Sequence, residues 1–518
     1  MRLPASVLVS ALGVALVLAC AHPQDLGATA PVPAPTKPPI LMSNPAEYAD
    51  RPISSEAGAA HFLELGGGDP YAAGMAFPVF LALLEAFPEW LGKDLTAFRE
   101  KFGFYADPAH AADASAIPLG FHLTIDPGTS VPWLVGNCQL CHAERLRLET
   151  GDLIVAGLGN RRVRAQAYAS ALARVGASPQ LDRARILKLA TAHAQELHLS
   201  FPEPMREPIV SATLDGLIAL SRTKGAALRR FEGALPGRMA TIEAFAIALA
   251  PYVEGPITTN PTIGWAKVPD IRGFAFRETA SFDGSARGSP ETLTLEADFL
   301  FGARPEWYAS HRHIATSMYL FLKGFSRKLP YPGKLDAHLV ADGAKSFETK
   351  CADCHGHYVD HGGEMRVSYK ERVVPQSIVG TDPAREEAVT PSFADAANSL
   401  PLTNGLTRVA ATGGYVPPVL LDVWARGLYG HAGQWPSLDV MATPPAQRPA
   451  RFIVDTDGRY DLVRVGVRYD TPTTGRALLP SEYAYDGTQP GYSVLGHPYL
   501  ADLPPEQRRA VMEYLKTL

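Results

Sequence analysis

Two short clusters, Cys138-Gln-Leu-Cys141-His142 and Cys351-Ala-Asp-Cys354-His355, constrain this chain more than any other feature. Each fits C-x-x-C-H. Two thiols one helical turn apart can reach the two vinyl groups on one edge of a haem, and the next residue then stands under the iron as proximal ligand. The spacing predicts two covalently bound haem c groups, attached through Cys138, Cys141, Cys351 and Cys354 and ligated by His142 and His355. Covalent thioethers suit an exported protein, where a lost cofactor is not recovered. The rival is a four-cysteine zinc site. The two pairs lie far apart in the chain and both carry the extra histidine, which favours haem. With 5 cysteines in 518 residues, no disulfide scaffold holds this chain.

The fifth cysteine is explained by the N-terminus. Met1-Arg2 is a short basic start, and Val7 to Leu18 is apolar or small apart from Ser10 and Gly13. That run is too short for a membrane span of about 20 residues and reads as a secretory signal peptide over 1–19. Val17-Leu18-Ala19-Cys20 resembles the lipobox of bacterial lipoproteins, with Val17 where leucine is usual. Cleavage before Cys20 would leave its thiol to carry lipid, and two or three acyl chains anchor stably. Ala21 after Cys20 favours the outer membrane, at its periplasmic face or the cell surface. Residues 20–45 are proline-rich and predict an extended tether. The net charge of -5 argues against a nucleic-acid partner. The membrane is reached only through the lipid anchor.

Helical spacing marks 161–175, 181–199, 207–220, 239–250, 311–326 and 335–351, the last delivering the second motif. Residues 117–125 read as a strand or extended lead-in to the first motif. Arg451–Val454 and Leu462–Tyr469 alternate around Asp457-Gly458, which suggests a hairpin. The expected fold is mainly α: two cytochrome c-type haem domains joined by a helical bridging region, with minor β-hairpin excursions. The expected divisions are an N-terminal haem domain with helical extension over 46–330 and a C-terminal cytochrome c domain over 331–518. His357 and His361 beside the second motif, and His311 and His313, read as solvated. Trp265 and Trp307 read as aromatic core.

Several segments resemble the dihaem cytochrome c peroxidase and MauG superfamily, closest to its rubber-oxygenase-like (RoxA-like) branch. They are Ile117-Pro-Leu-Gly-Phe-His122, Gly157-Leu-Gly-Asn-Arg-Arg162, Gly343 to Cys351, Tyr429-Gly-His-Ala-Gly-Gln-Trp-Pro-Ser-Leu438, Arg448-Pro-Ala-Arg-Phe452, Gly496-His-Pro-Tyr499 and Glu513 to Leu518. Gly430, Ala432 and Trp435 depart from the family's pattern, and the middle region matches more weakly. The resemblance implies His497 as distal ligand of the second haem, with His431 and Met441 as alternatives. It leaves the first iron open to dioxygen or peroxide; His110, His122, His193 and His198 have no special claim on it. It implies an oxidoreductase served by a redox partner protein or a small-molecule oxidant. The competing function is a non-catalytic electron carrier. Catalytic residues and substrate stay unassigned.

Overall fold

The computed structural model describes residues 42–43, 52–63, 74–107, 116–126, 128–289, 293, 305–399, 407–472 and 476–518, without the side chains of 42–43 and 305–311. The signal peptide, Cys20, nearly all of the tether, His110 and the side chains of Trp307 and His311 lie outside them. A four-stranded sheet, in the order β1-β3-β4-β2, carries the first motif. Its strands are β1 (Met42–Ser43), β2 (Met75–Ala76), β3 (Phe121–Ile125) and β4 (Pro132–Gly136). β1 runs parallel to β3; the other pairings are antiparallel. After β4 the motif occupies a single helical turn, α3 (Gln139–His142). A hairpin follows at once, β5 (Ala143–Leu148) with β6 (Gly151–Ala156).

Helices α1 (Ser55–Leu63) and α2 (Phe77–Ala86) precede that sheet. Beyond the hairpin come α4 (Ala165–Ala177), α5 (Arg183–Glu196) and α6 (Glu203–Arg229). Their positions agree with the expected amphipathic stretches. Asp182 starts α5 by accepting a hydrogen bond from the Arg185 amide, which satisfies one unpaired N–H of the first turn. Next are α7 (Pro305–Lys323) and α8 (Ala337–Lys350), the second capped by Asp336 at the His338 and Leu339 amides. α8 breaks at Cys351 and resumes as α9 (Ala352–His355), which carries the second motif. A hairpin of β7 (His357–His361) and β8 (Glu364–Ser368) follows. Later, β9 (Arg451–Asp455) pairs with β10 (Tyr469–Asp470) and, over five residues, with β11 (Glu482–Asp486). Helix α10 (Pro505–Leu515) closes the chain.

The fold is mixed: 42% helix and 17% strand in many small sheets. This overturns the expected mainly α arrangement of two haem domains with a helical bridge. The physical reason lies in the cores. One apolar cluster runs from Met75 through Leu172 and Leu214 to Phe452, Tyr485 and Val494. A second, around the second motif, takes in Leu146 and Val155 from the hairpin after the first motif. Each half therefore buries its apolar side chains against the other. Most strands are only two to six residues long, too short for alternation to be read reliably. The partner of β9 at 482–486 went unread for that reason.

α8 and α10 cross closely at Gly343, where an added Cβ would stand 2.0 Å from the Ala510 carbonyl oxygen. Backbone on both sides leaves no flexible atom to yield. Gly343→Val should cost about 3 kcal/mol of stability through overpacking, read as a lower denaturant midpoint. An unchanged midpoint would mean that the helices can separate freely.

Candidate functional site

The two motifs make the same local turn. The His142 amide donates to the Cys138 carbonyl at 2.8 Å, and the His355 amide to the Cys351 carbonyl at 3.0 Å. Each pair of thiols thus brackets one helical turn. Around the first, Asn160 ties the chain down. Its amide donates to the Cys141 carbonyl and its side chain to the Leu140 and Gly103 carbonyls. The Gly157 amide closes onto the His142 carbonyl. That is the role of the Gly157–Arg162 segment. At the second turn, the Tyr358 hydroxyl donates to the His355 carbonyl and accepts from the Leu420 amide.

Both histidines are held by the same device. His142 Nδ1 lies 3.0 Å from the Pro269 carbonyl oxygen, and His355 Nδ1 lies 2.9 Å from that of Pro418. A carbonyl can only accept, so each Nδ1 carries the proton and each Nε2 is left with a lone pair. Metal-ligating histidines are oriented in this way. Burial pushes both imidazoles down to about 4, so they are neutral at physiological pH, as ligation requires. The sequence offered no signal for the two prolines: they follow their histidines by 127 and 63 residues.

Facing His355 is His497, with ring centres 6.2 Å apart. With a metal–nitrogen bond of about 2 Å and roughly 1.2 Å more to each ring centre, two imidazoles on opposite sides of one metal lie about 6.4 Å apart. The gap therefore fits a single iron. His497 is half-buried, and the desolvation of its ring pushes the imidazole down to about 3. It sits at φ +45, beside Gly496 at φ +84. A non-glycine residue in this region costs of order 1 kcal/mol and persists where the surroundings impose it. Here Arg448 imposes it. Its guanidinium donates to the carbonyls of Val494 and Gly496, of Met441 and His497, and of Thr443. Trp435 backs the loop, donating to Val494 and stacking under Arg448.

The alternative ligands are placed otherwise. His431 is buried and stacks on Tyr415 at 4.5 Å. Met441 ends a short helix and lends its carbonyl to Arg448. Burial, with the Arg385 charge, pushes His431 down to about 3. A depressed histidine pKa leaves the unfolded state holding more protons, so stability is full above about pH 6.5 and falls toward pH 3. The slope is about 1.4 kcal/mol per pH unit for one such group. His431→Gln should decline less steeply over that window in denaturant titrations; equal slopes would contradict the assignment.

Around the first motif the surroundings are apolar. Cys138 clusters with Ala60 and Phe62 of α1, with Ile314, Met318 and Leu322 of α7, and with Phe325. Phe62, Phe321 and Phe325 touch one another at 5.0 to 6.3 Å. His61, buried beside Phe62, was not singled out from the sequence; a histidine inside the apolar Ala59-Ala60-His61-Phe62-Leu63 run was the signal. Of the earlier candidates, His122 lies half-buried on β3, His193 pairs with Glu85 at 2.9 Å, and His198 stands in the turn just past its helix at φ +52. His357 is exposed and pairs with Glu348; His361 is exposed as well. Trp265 is buried and stacked on Tyr492, as core.

Buried ion pairs link the two proline segments. Arg272, three residues after Pro269, pairs with Asp422, four after Pro418. Asp270 pairs with Lys267 and lies 3.9 Å from Arg426, which in turn donates to the Val419 and Leu421 carbonyls. The supports of the two histidines are thereby braced against each other.

The site is defined by two C-x-x-C-H turns, each backed by a proline carbonyl, with a third histidine opposite the second. No protein-family model matches the chain. It is similar to the uncharacterized protein y4iJ of Sinorhizobium fredii, at 21% identity over 552 aligned positions covering 86% of this chain and 88% of that protein. A shorter stretch is 37% identical over 89 residues to the uncharacterized protein y4iM of the same organism, covering 17% of this chain and 20% of that one.

Proposed function

We propose that the protein is an exported, lipid-anchored dihaem c-type oxidoreductase that uses dioxygen or peroxide at the first haem and moves electrons through the second. The observation that carries this reading is the 6.2 Å spacing of the His355 and His497 rings. Haem, when bound, supplies a one-electron redox centre and, where a position is open, a place for dioxygen or peroxide. Cys138, Cys141, Cys351 and Cys354 would hold the two groups, and His142 and His355 would ligate them through Nε2. The Pro269 and Pro418 carbonyls fix both tautomers. His497 would take the sixth position of the second haem and keep it for electron transfer. The Phe62, Phe321, Phe325 and Met318 side chains give the first site an apolar lining, which suits a gas or an apolar substrate and excludes water. Dioxygen or peroxide is the small-molecule oxidant, and a redox partner protein or the oxidised substrate supplies the electrons that balance it.

The test is the purified mature protein. Its mass should exceed that of the polypeptide by two haems after denaturation, and its ferric spectrum should combine one high-spin with one low-spin centre. Two purely low-spin haems that bind no carbon monoxide on reduction would favour the electron carrier. No bound haem would end the reading.

A further inference from the structure

A small cavity lies where the two braced segments meet. Gly159, Asn160, Arg161, Gly237, Lys267 and Arg426 line it, with room for about one water molecule. Arg161, Lys267 and Arg426 are all buried. Glu144 pairs with Arg161, while Asp270 is shared by Lys267 and Arg426. Three cations therefore meet two carboxylates. Arg238, next to the lining Gly237, is also buried and donates to the Pro236, Ala432 and Gly433 carbonyls and the Tyr483 hydroxyl, none of them an anion. The Nε–H groups of Arg161 and Arg426 have no hydrogen-bond acceptor. Burying excess positive charge with unmet donors is costly unless an anion joins it. Burial holds the Lys267 ammonium below its ordinary range, and Arg426 and Arg238 add repulsion that Asp270 opposes.

We propose that a carboxylate places one oxygen in this cavity, with Arg161, Lys267 and Arg426 as its donors, and that a haem propionate supplies it. The identity of the carboxylate rests on the dihaem reading; the charge balance does not. One carboxylate brings the three lining cations to three against three, leaves Arg238 to its carbonyl and hydroxyl acceptors, and gives both Nε–H groups an acceptor. Lys267 and Asp270 flank Pro269, whose carbonyl holds His142, and Arg426 donates to the Val419 and Leu421 carbonyls next to Pro418, whose carbonyl holds His355, so the cavity adjoins the supports of both imidazoles. A free small carboxylate offers the same chemistry, and the experiment separates the two sources.

Lys267→Met and Arg426→Gln, with Arg426→Lys as the charge-preserving control, are compared with wild type in the haem-loaded protein. The readouts are haem content, spectroelectrochemical midpoints and melting temperature against formate concentration. If a propionate fills the site, both neutral variants keep two haems and lower one midpoint, because an uncompensated propionate favours ferric iron. The shift expected is about tenfold in the ferrous-to-ferric ratio at fixed potential, about 59 mV for one electron. Formate then has no effect. If formate stabilises wild type saturably and not the neutral variants, while midpoints stay put, the site binds a carboxylate but the propionate assignment is overturned. If neither midpoints nor formate response depends on these side chains, the proposal fails entirely. A wild type lacking haem fails the dihaem reading alone and leaves the formate arm to decide.

Discussion

Replacing His497 by alanine should turn the second haem from low spin to high spin and open it to carbon monoxide after reduction. The two rings straddle a gap sized for one iron, and among the described residues no other ring is paired with His355. Loss of the half-buried ring should also cost about 1 to 2 kcal/mol of stability, less than a fully buried large-to-small change. Alanine keeps the Cβ, so the left-handed strain at φ +45 remains. His497→Gly relieves it and should be about 1 kcal/mol more stable than the alanine variant. The two variants should nevertheless share one spectrum. That contrast separates the ligand's role from the backbone's. Added imidazole should restore the low-spin signal in both. An unchanged low-spin spectrum in either variant would remove His497 as ligand.

Arg448→Met should destabilise the protein by about 5 kcal/mol and loosen His497 without touching it. The guanidinium makes five hydrogen bonds, all to carbonyls, and is buried. Truncation strands those acceptors, each costing about 1 kcal/mol or more. Methionine keeps the apolar stem against Trp435, so the effect isolates the donors. Burial without a carboxylate partner holds the Arg448 guanidinium down to about 10, still charged at neutral pH. The variant should therefore show a mixed-spin second haem at temperatures where it remains folded, with the first haem unchanged. Arg448→Lys replaces a fork by a single ammonium and should recover only part of both effects. A folded Arg448→Met protein with a wild-type second haem would show that Arg448 does not hold the loop.

The two C-x-x-C-H turns were legible in the sequence because they are local. Cys138, Cys141 and His142, like Cys351, Cys354 and His355, are placed by a single turn, and a turn has a fixed spacing. His497 was reachable only through the resemblance of the Gly496-His-Pro-Tyr499 segment. The prolines behind the histidines and the Arg272–Asp422 brace carried no local mark, and the Arg448-Pro-Ala-Arg-Phe452 segment stood out by resemblance with no sign of the clasp it makes. Each joins residues separated by dozens to more than a hundred positions, and no periodicity records such a pairing. The fold class was misread for a related reason. Strands as short as β1, β2 and β10 hold too few residues to show alternation, and the hairpin of β5 and β6 begins at the residue after His142.

What the sequence determined by itself is the pair of cysteine-bracketed histidines and the segments that lead into them, since covalent geometry within one turn leaves little freedom. The tertiary structure alone decided which histidine stands opposite which, at what distance, and how many cations share one buried cavity. Those outcomes depend on where apolar burial brings distant segments together, and the two cores that interleave both halves are what made that choice.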